Sequence, residues 1–243
     1  KATQMACEEI LERLKEVAKE LVEGERVADI SIREGFVFRC EEKTDLDWVT
    51  LANEAHLRRV SLSEYSHYGT PGINFDWTTA KGHPFAYHVY GTAIVGVTVD
   101  CLRGTYEIDY VKNCHDFGKS MNTAVDLGQI EGGIVQGIGW MTLEELFYDE
   151  KGVLRSNALS TYKVPDIYSV PKVIETVALE TDRDNLAIFR SKAVGEPPLM
   201  YGLGAYFAIR NAVKAFNSEC SPEFDAPFTP EKVMMSLYGK KSV

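Results

Sequence analysis

Five glycines fall within the thirteen residues of "GQIEGGIVQGIGW", Gly128 to Trp140. The apolar residues between them recur at helical spacing, and the pattern predicts a helix from about Asn122 to Phe147. Each glycine inside a helix costs roughly 1 kcal/mol against alanine, so a helix with this many needs unusually close packing to offset them. Two arrangements supply it. The helix can press its bare backbone against another backbone, or it can offer that surface to a bound cofactor. The residue pattern leaves both open.

A second stretch raises a related question. "SKAVGEPPLMYGLG", Ser191 to Gly204, sets one carboxylate, Glu196, between a glycine and two prolines, ahead of Leu199, Leu203, Tyr206, Phe207, Val213 and Phe216 at helical spacing. A helix ending near Phe216 follows. An acid at a helix mouth is worth a few tenths of a kcal/mol to about 1 through the helix dipole, and prolines suit a first helical turn. Gly195 also allows close approach of another group, while Pro197 and Pro198 remove backbone freedom around the carboxylate. A general base needs that kind of fixed position. Both a structural and a catalytic acid fit these residues.

The remaining elements are read from periodicity. Met5, Ala6, Ile10, Leu14, Val17, Ala18 and Leu21 predict an opening helix to about Val22, and "VADISIREGFVFRC" predicts a hairpin about Glu34 and Gly35. A short helix is predicted over Trp48 to Leu57. From Ser61 to Pro84 the chain is rich in Tyr, His, Gly and Pro without a clear period, which predicts a long ordered loop; such loops are uncommon unless they cover something functional. "YHVYGTAIVGVTVDC" and "TYEIDYVKN" predict two strands joined by Leu102, Arg103 and Gly104. After a turn at "DEKG", "KVIETVALET" predicts a further strand and "PEKVMMSLYG" a last short helix.

Composition narrows the function classes. The formal net charge of -10 over 243 residues, with no basic block, argues against nucleic acid and against an anionic membrane surface. Five cysteines, none two to four residues from another, do not make an iron–sulfur or zinc site and read as reduced thiols of a cytoplasmic protein. The chain lacks an initiator Met and starts in mid-helix, as expected of a piece of a larger protein. Asp116, Phe117 and Gly118 spell a kinase metal-binding tripeptide, but no glycine-rich loop precedes them. The five histidines are scattered, with loop hydrogen bonding as their expected use.

Taken together, "VDLGQIEGGIVQGIGWMTLEEL", "LSTYKVPD", "SKAVGEPPL", "RVSLSEYSHYGTPGINFD" and "KGHPFAYHVYGTAIVGVTVDCLRGTYEI" resemble the C-terminal part of the molybdenum-binding subunit of xanthine dehydrogenases and related molybdenum hydroxylases. The resemblance covers nearly the whole chain and implies an α/β fold of the α+β type, with mixed sheets and long helices, as a cofactor-binding domain. Residues 1–243 would form the C-terminal portion of the molybdopterin-binding region: 1–120 carry the helix, hairpins and long loop, and 121–243 the glycine-rich helix and the Glu196 segment.

By the same resemblance Glu196 is the active-site base, Gln129 contacts the pyranopterin, and Gly128 and Gly195 border the cofactor. Molybdenum is held by the pterin and by no side chain. The implied reaction hydroxylates a purine such as xanthine or hypoxanthine with oxygen from water. An aldehyde or another N-heterocycle is the alternative substrate, and a noncatalytic docking subunit the alternative role. The implied partners are the N-terminal remainder of the molybdenum subunit, and chains or domains carrying 2Fe–2S clusters and FAD. Cys114 and the "MNTAVD" connection depart slightly from the family's usual pattern.

Overall fold

The computed structural model describes residues 1–179, 181 and 187–239. Its contacts divide into two compact units, Lys1–Gly72 and Ile73–Val243. Helices and sheets are mixed in both, as expected.

In the first unit, helix α1 (Ala2–Leu21) buries Leu14, Val17 and Ala18, one stripe of its predicted apolar face. That stripe joins Ile30 of strand β1 (Ile30–Arg33), Val37 of β2 (Phe36–Arg39), and Leu51 and Ala55 of helix α2 (Trp48–Leu57) in one core. β1 and β2 pair antiparallel around the predicted Glu34–Gly35 turn, where Gly35 takes a φ of 77°. A third strand, β3 (Glu42–Asp47), extends this sheet and was not legible in the sequence. It is a short edge strand whose charged side chains face outward, so its alternation is mostly hidden. Asp47 then caps α2, its Oδ1 accepting from Thr50 N at 2.7 Å.

The second unit begins with a small hairpin, β4 (Asn74–Asp76) and β5 (Lys81–His83), inside the stretch predicted to be loop. Asp76 nucleates its turn by accepting from Thr78 N and the Thr79 hydroxyl, each at 2.8 Å. The main sheet has the order β6–β7–β8. β6 (Gly91–Asp100) and β7 (Thr105–His115) form the predicted hairpin, and β8 (Val173–Ala178) pairs parallel to β7. Of the strand predicted over "KVIETVALET", Glu180 lies outside the described residues.

A bulge in β7 decides which residues its far end buries. Gly96 faces Tyr110 and Val97 faces Ile108, so Asp109 is an extra residue and the alternation changes phase there. Before it Ile108 points into the core; after it Val111, Asn113 and His115 do. Helix α3 (Thr123–Thr142) lies on this core with Ile130, Ile134 and Ile138. It ends at Thr142, short of the predicted Phe147. Gly139 O accepts from both Leu143 N and Glu144 N, and Phe147 instead pairs with Arg155 and the Ser156 hydroxyl across a turn. The run after Glu196 forms two helices in place of one, α4 (Leu199–Gly202) and α5 (Gly204–Phe216), followed by α6 (Pro230–Tyr238).

Candidate active site

The glycines of α3 serve two faces. Gly133 and Gly137, one turn apart, meet the segment that follows Glu196. A methyl group added at Gly133 would stand 3.1 Å from Pro198 Cβ and 3.4 Å from Gly195 O, and one at Gly137 would strike Leu199 O. From the other side, a methyl at Gly202 would come within 2.5 Å of Gly137 C and Ile138 N. Backbone therefore lies on backbone at this crossing. Gly128 and Gly132, also one turn apart, are exposed and have nothing within 4 Å of where a side chain would begin. Close packing explains the first pair and leaves the second unexplained.

Gln129 stands beside that open strip. It is exposed on α3, and its Oε1 lies 3.7 Å from the position a Gly195 Cβ would take. The fold thus brings Gln129 to Gly195, with Gly128 and Glu196 as their respective neighbours in the chain. Glu196 is exposed, and among the described residues no hydrogen bond or ion pair ends on its carboxylate. Its backbone carbonyl accepts from Leu199 N at 3.1 Å, but the residue before α4 is Pro198 and no side chain caps that helix. A helix-capping use of this acid finds no support in the contacts it makes.

The turn that carries Glu196 is pinned from below by residues to which sequence reasoning gave no role. Gly118 and Ser191 form an antiparallel bridge, Lys192 N donates to Phe117 O at 3.0 Å, and Lys119 N donates to Arg190 O at 3.0 Å. Between these bonds the Lys192 ammonium meets Asp116 Oδ2 at 2.5 Å, with both side chains almost wholly buried. Asp116 also accepts from Gly118 N at 3.0 Å and from the Thr181 hydroxyl at 3.2 Å. Burial works against its ionisation, yet the Lys192 hydrogen bond and charge prevail and hold the carboxyl below the usual carboxylate range. The tripeptide dismissed on the kinase comparison contains this buried anchor.

His115, expected to serve in a loop, is instead the fully buried last residue of β7. Its Nδ1 lies 2.6 Å from the Tyr201 hydroxyl on α4. Burial lowers the imidazole pKa, against smaller opposing effects of the Ala193 backbone and the Asp116 charge. Burial raises that of the Tyr201 phenol. A phenol that keeps its proton donates to Nδ1, which places the imidazole proton on Nε2, on the side of the Ala193 backbone and short of a well-aligned hydrogen bond among the described residues. Hollows of ≈ 290 Å³ beside Tyr106 and Lys172, and of ≈ 410 Å³ beside Cys220 and Met235, lie away from these residues. Among the described residues no three of His, Cys, Asp and Glu converge as metal ligands, and no helix is long and apolar enough to cross a membrane.

Comparison with known proteins gives a consistent result. Residues 1–171 match the model of the molybdopterin cofactor-binding domain, a span that includes Gly128 and Gln129 and stops before Gly195 and Glu196. The chain is 41% identical over 194 residues to the xanthine dehydrogenase/oxidase of Felis catus, covering 77% of this chain and 14% of that protein. It is 32% identical over 243 residues to aldehyde oxidase 1 of Bos taurus, covering 98% of this chain and 16% of the relative. The solved quinoline 2-oxidoreductase of Pseudomonas putida 86 superposes with a TM-score of 0.66 at 24% identity, covering 93% of this chain and 28% of that one. This chain therefore spans about one seventh of the length of the curated relatives it matches.

Proposed function

Since this chain belongs to the molybdopterin cofactor-binding domain family, we propose that it forms one wall of the active site of a cytoplasmic molybdenum hydroxylase. Its relatives are molybdenum oxidoreductases, and they are several times longer. The rest of the enzyme would come from the N-terminal remainder of the molybdenum subunit and from iron–sulfur and FAD chains or domains.

The observation that carries this reading is the meeting of Gln129 with Gly195, beside a Glu196 carboxylate without a partner among the described residues and an open strip at Gly128 and Gly132. A flat, polar heterocycle fits such a surface. The strip has no side chains to hold it off, and the Gln129 amide can both donate and accept. Gln129 and Gly128 would hold molybdopterin here, with Gly195 bordering it. When bound, the molybdenum cofactor supplies the two-electron redox chemistry. Glu196 would take the proton from the water-derived oxygen that becomes the product's new hydroxyl, held in line by Pro197 and Pro198.

For substrate we infer a purine such as xanthine or hypoxanthine. Over alignments of similar length, the higher identity to the xanthine dehydrogenase/oxidase of Felis catus than to an aldehyde oxidase supports it. An aldehyde or another N-heterocycle is the second reading, favoured by the near-complete coverage in the aldehyde oxidase alignment. The assembled enzyme supplied with xanthine in ¹⁸O-water should release product carrying one labelled oxygen. Turnover of aldehydes with none of purines would move the assignment to the second reading, and no molybdenum in the intact complex would leave a docking subunit.

Gln129 gives a separate test. Gln129→Leu should lower molybdenum occupancy, since a pterin group buried against Gln129 in the assembled enzyme would lose its partner at a cost of about 1–3 kcal/mol. Turnover per bound molybdenum should stay near the wild-type value. A fall in that ratio at full occupancy would assign Gln129 to the chemistry.

A further inference from the structure

The buried Asp116–Lys192 pair is placed where a stability argument alone explains it poorly. Taking two charges out of water is expensive, and a buried pair is often no more stabilising than apolar residues of the same volume. Both side chains are enclosed, with exposures of 5% for Lys192 and 0% for Asp116. Asp116 follows directly on β7, through the Asp116 N to Tyr90 O bond at 2.9 Å, and the sheet fixes it. Lys192 lies four residues before Glu196 in a segment without regular structure. The pair therefore ties an irregular segment to a rigid element by a directional contact. The Lys192 ammonium also lies 5.5 Å from the centre of the Tyr90 ring, a second attraction on the same side as β6 and β7.

The other end of the segment is held independently. Tyr201 meets His115 at 2.6 Å, and Pro198 and Leu199 lie on Gly133 and Gly137. Between these two attachments stand Ala193 to Pro197, with Glu196 near the middle. Apolar contacts would resist separation of the segment from β7 but would tolerate sliding along it. The Gly118–Ser191 bridge and the Lys192 N to Phe117 O bond set the register as far as Lys192, and an ion pair of one fixed length resists sliding at the point where those bonds end.

We propose that Asp116 and Lys192 are positioning residues that set the register of the Ala193–Pro198 turn, and with it the direction from which the Glu196 carboxylate approaches substrate. This rests on the reading of Glu196 as the base. Its consequence is kinetic: removing the pair while filling its volume should leave the fold and cofactor in place and displace the carboxylate. Displacements of about 1 Å in a catalytic group can cost up to about a hundredfold in rate.

The test uses the assembled, molybdenum-loaded enzyme carrying Asp116→Leu with Lys192→Met. Expected are full molybdenum, a KM within about threefold of wild type, a kcat lower by about tenfold or more, and faster exchange of the hydrogen-bonded amides of residues 191, 192 and 199. Adding the pair of changes to Glu196→Gln should then cost no further kcat. Lys192→Arg, which keeps the charge and alters its reach, should give a smaller kcat loss in the same direction and serves if the double variant does not fold. A wild-type kcat in the double variant, or in Lys192→Arg when only that folds, would overturn the proposal. So would an equal further loss in the Glu196→Gln background. If Glu196→Gln alone keeps its rate, the reading of Glu196 fails, and the positioning role fails with it.

Discussion

Replacing Gly137 by valine should sharply lower the yield and melting temperature of the second unit, while Gly132→Ala on the same helix should fold normally and lower cofactor occupancy. At Gly137 a new Cβ strikes Leu199 O and stands 3.1 Å from Gly202 Cα, so it meets backbone that cannot rotate away. Overpacking a core typically costs about 1–3 kcal/mol, and a rigid neighbour places this site at or above the upper end. That is a large fraction of the 5–15 kcal/mol that holds a typical domain together. At Gly132 nothing lies within 4 Å, and alanine gains about 1 kcal/mol in helix propensity. Soluble yield, melting temperature and molybdenum content of the assembled enzyme report both. A normal yield for Gly137→Val would mean that the α3–α4 crossing is looser than described.

Glu196→Gln should remove most of the turnover and little else. The substitution preserves size and shape, and the carboxylate makes no contact among the described residues whose loss would unfold the turn. Loss of a general base costs about 10²–10⁴-fold, with KM and molybdenum content near wild type. A helix-end acid would behave in the opposite way, with near-normal rates and a stability loss of up to about 1 kcal/mol. The absence of any cap from Glu196 to α4 already weighs against that alternative.

Much of the scaffold was legible because its residues obey one rule at a time. The stripe Leu14, Val17 and Ala18 marks α1, and the alternation around Leu102 to Gly104 marks the β6–β7 hairpin. β3 escaped notice because an edge strand with outward charges shows little hydrophobic alternation. The end of α3 was overrun because Leu143 to Phe147 continue an apolar pattern that the turn at Gly139 interrupts. The helix after Glu196 read as one run because Leu203, between α4 and α5, keeps helical dihedrals.

The candidate site divides along similar lines. Glu196 and Gln129 stood out through local peculiarities, an acid between glycine and prolines and an amide among glycines. The anchors beneath them could not be found that way. Asp116 and Lys192 are 76 residues apart, and nothing in either local sequence announces the other. His115 reaches the interior only because the bulge at Asp109 rephases β7, a single-residue event that alternation patterns do not reveal. The glycine helix shows the same limit: two readings were open from the pattern, and contacts support the packing one at Gly133 and Gly137 while leaving Gly128 and Gly132 free for the other.

The central claim is that Glu196 is a base whose neighbours hold it without neutralising it. The most direct measurement is the rate at which substrate reduces the assembled, fully molybdenum-loaded Glu196→Gln enzyme in a single anaerobic turnover, where assembly and electron exit play no part. A rate at least about a hundredfold below wild type, with unchanged substrate binding, is the predicted result. A rate within a fewfold of wild type would contradict it and return Glu196 to an ordinary surface acid.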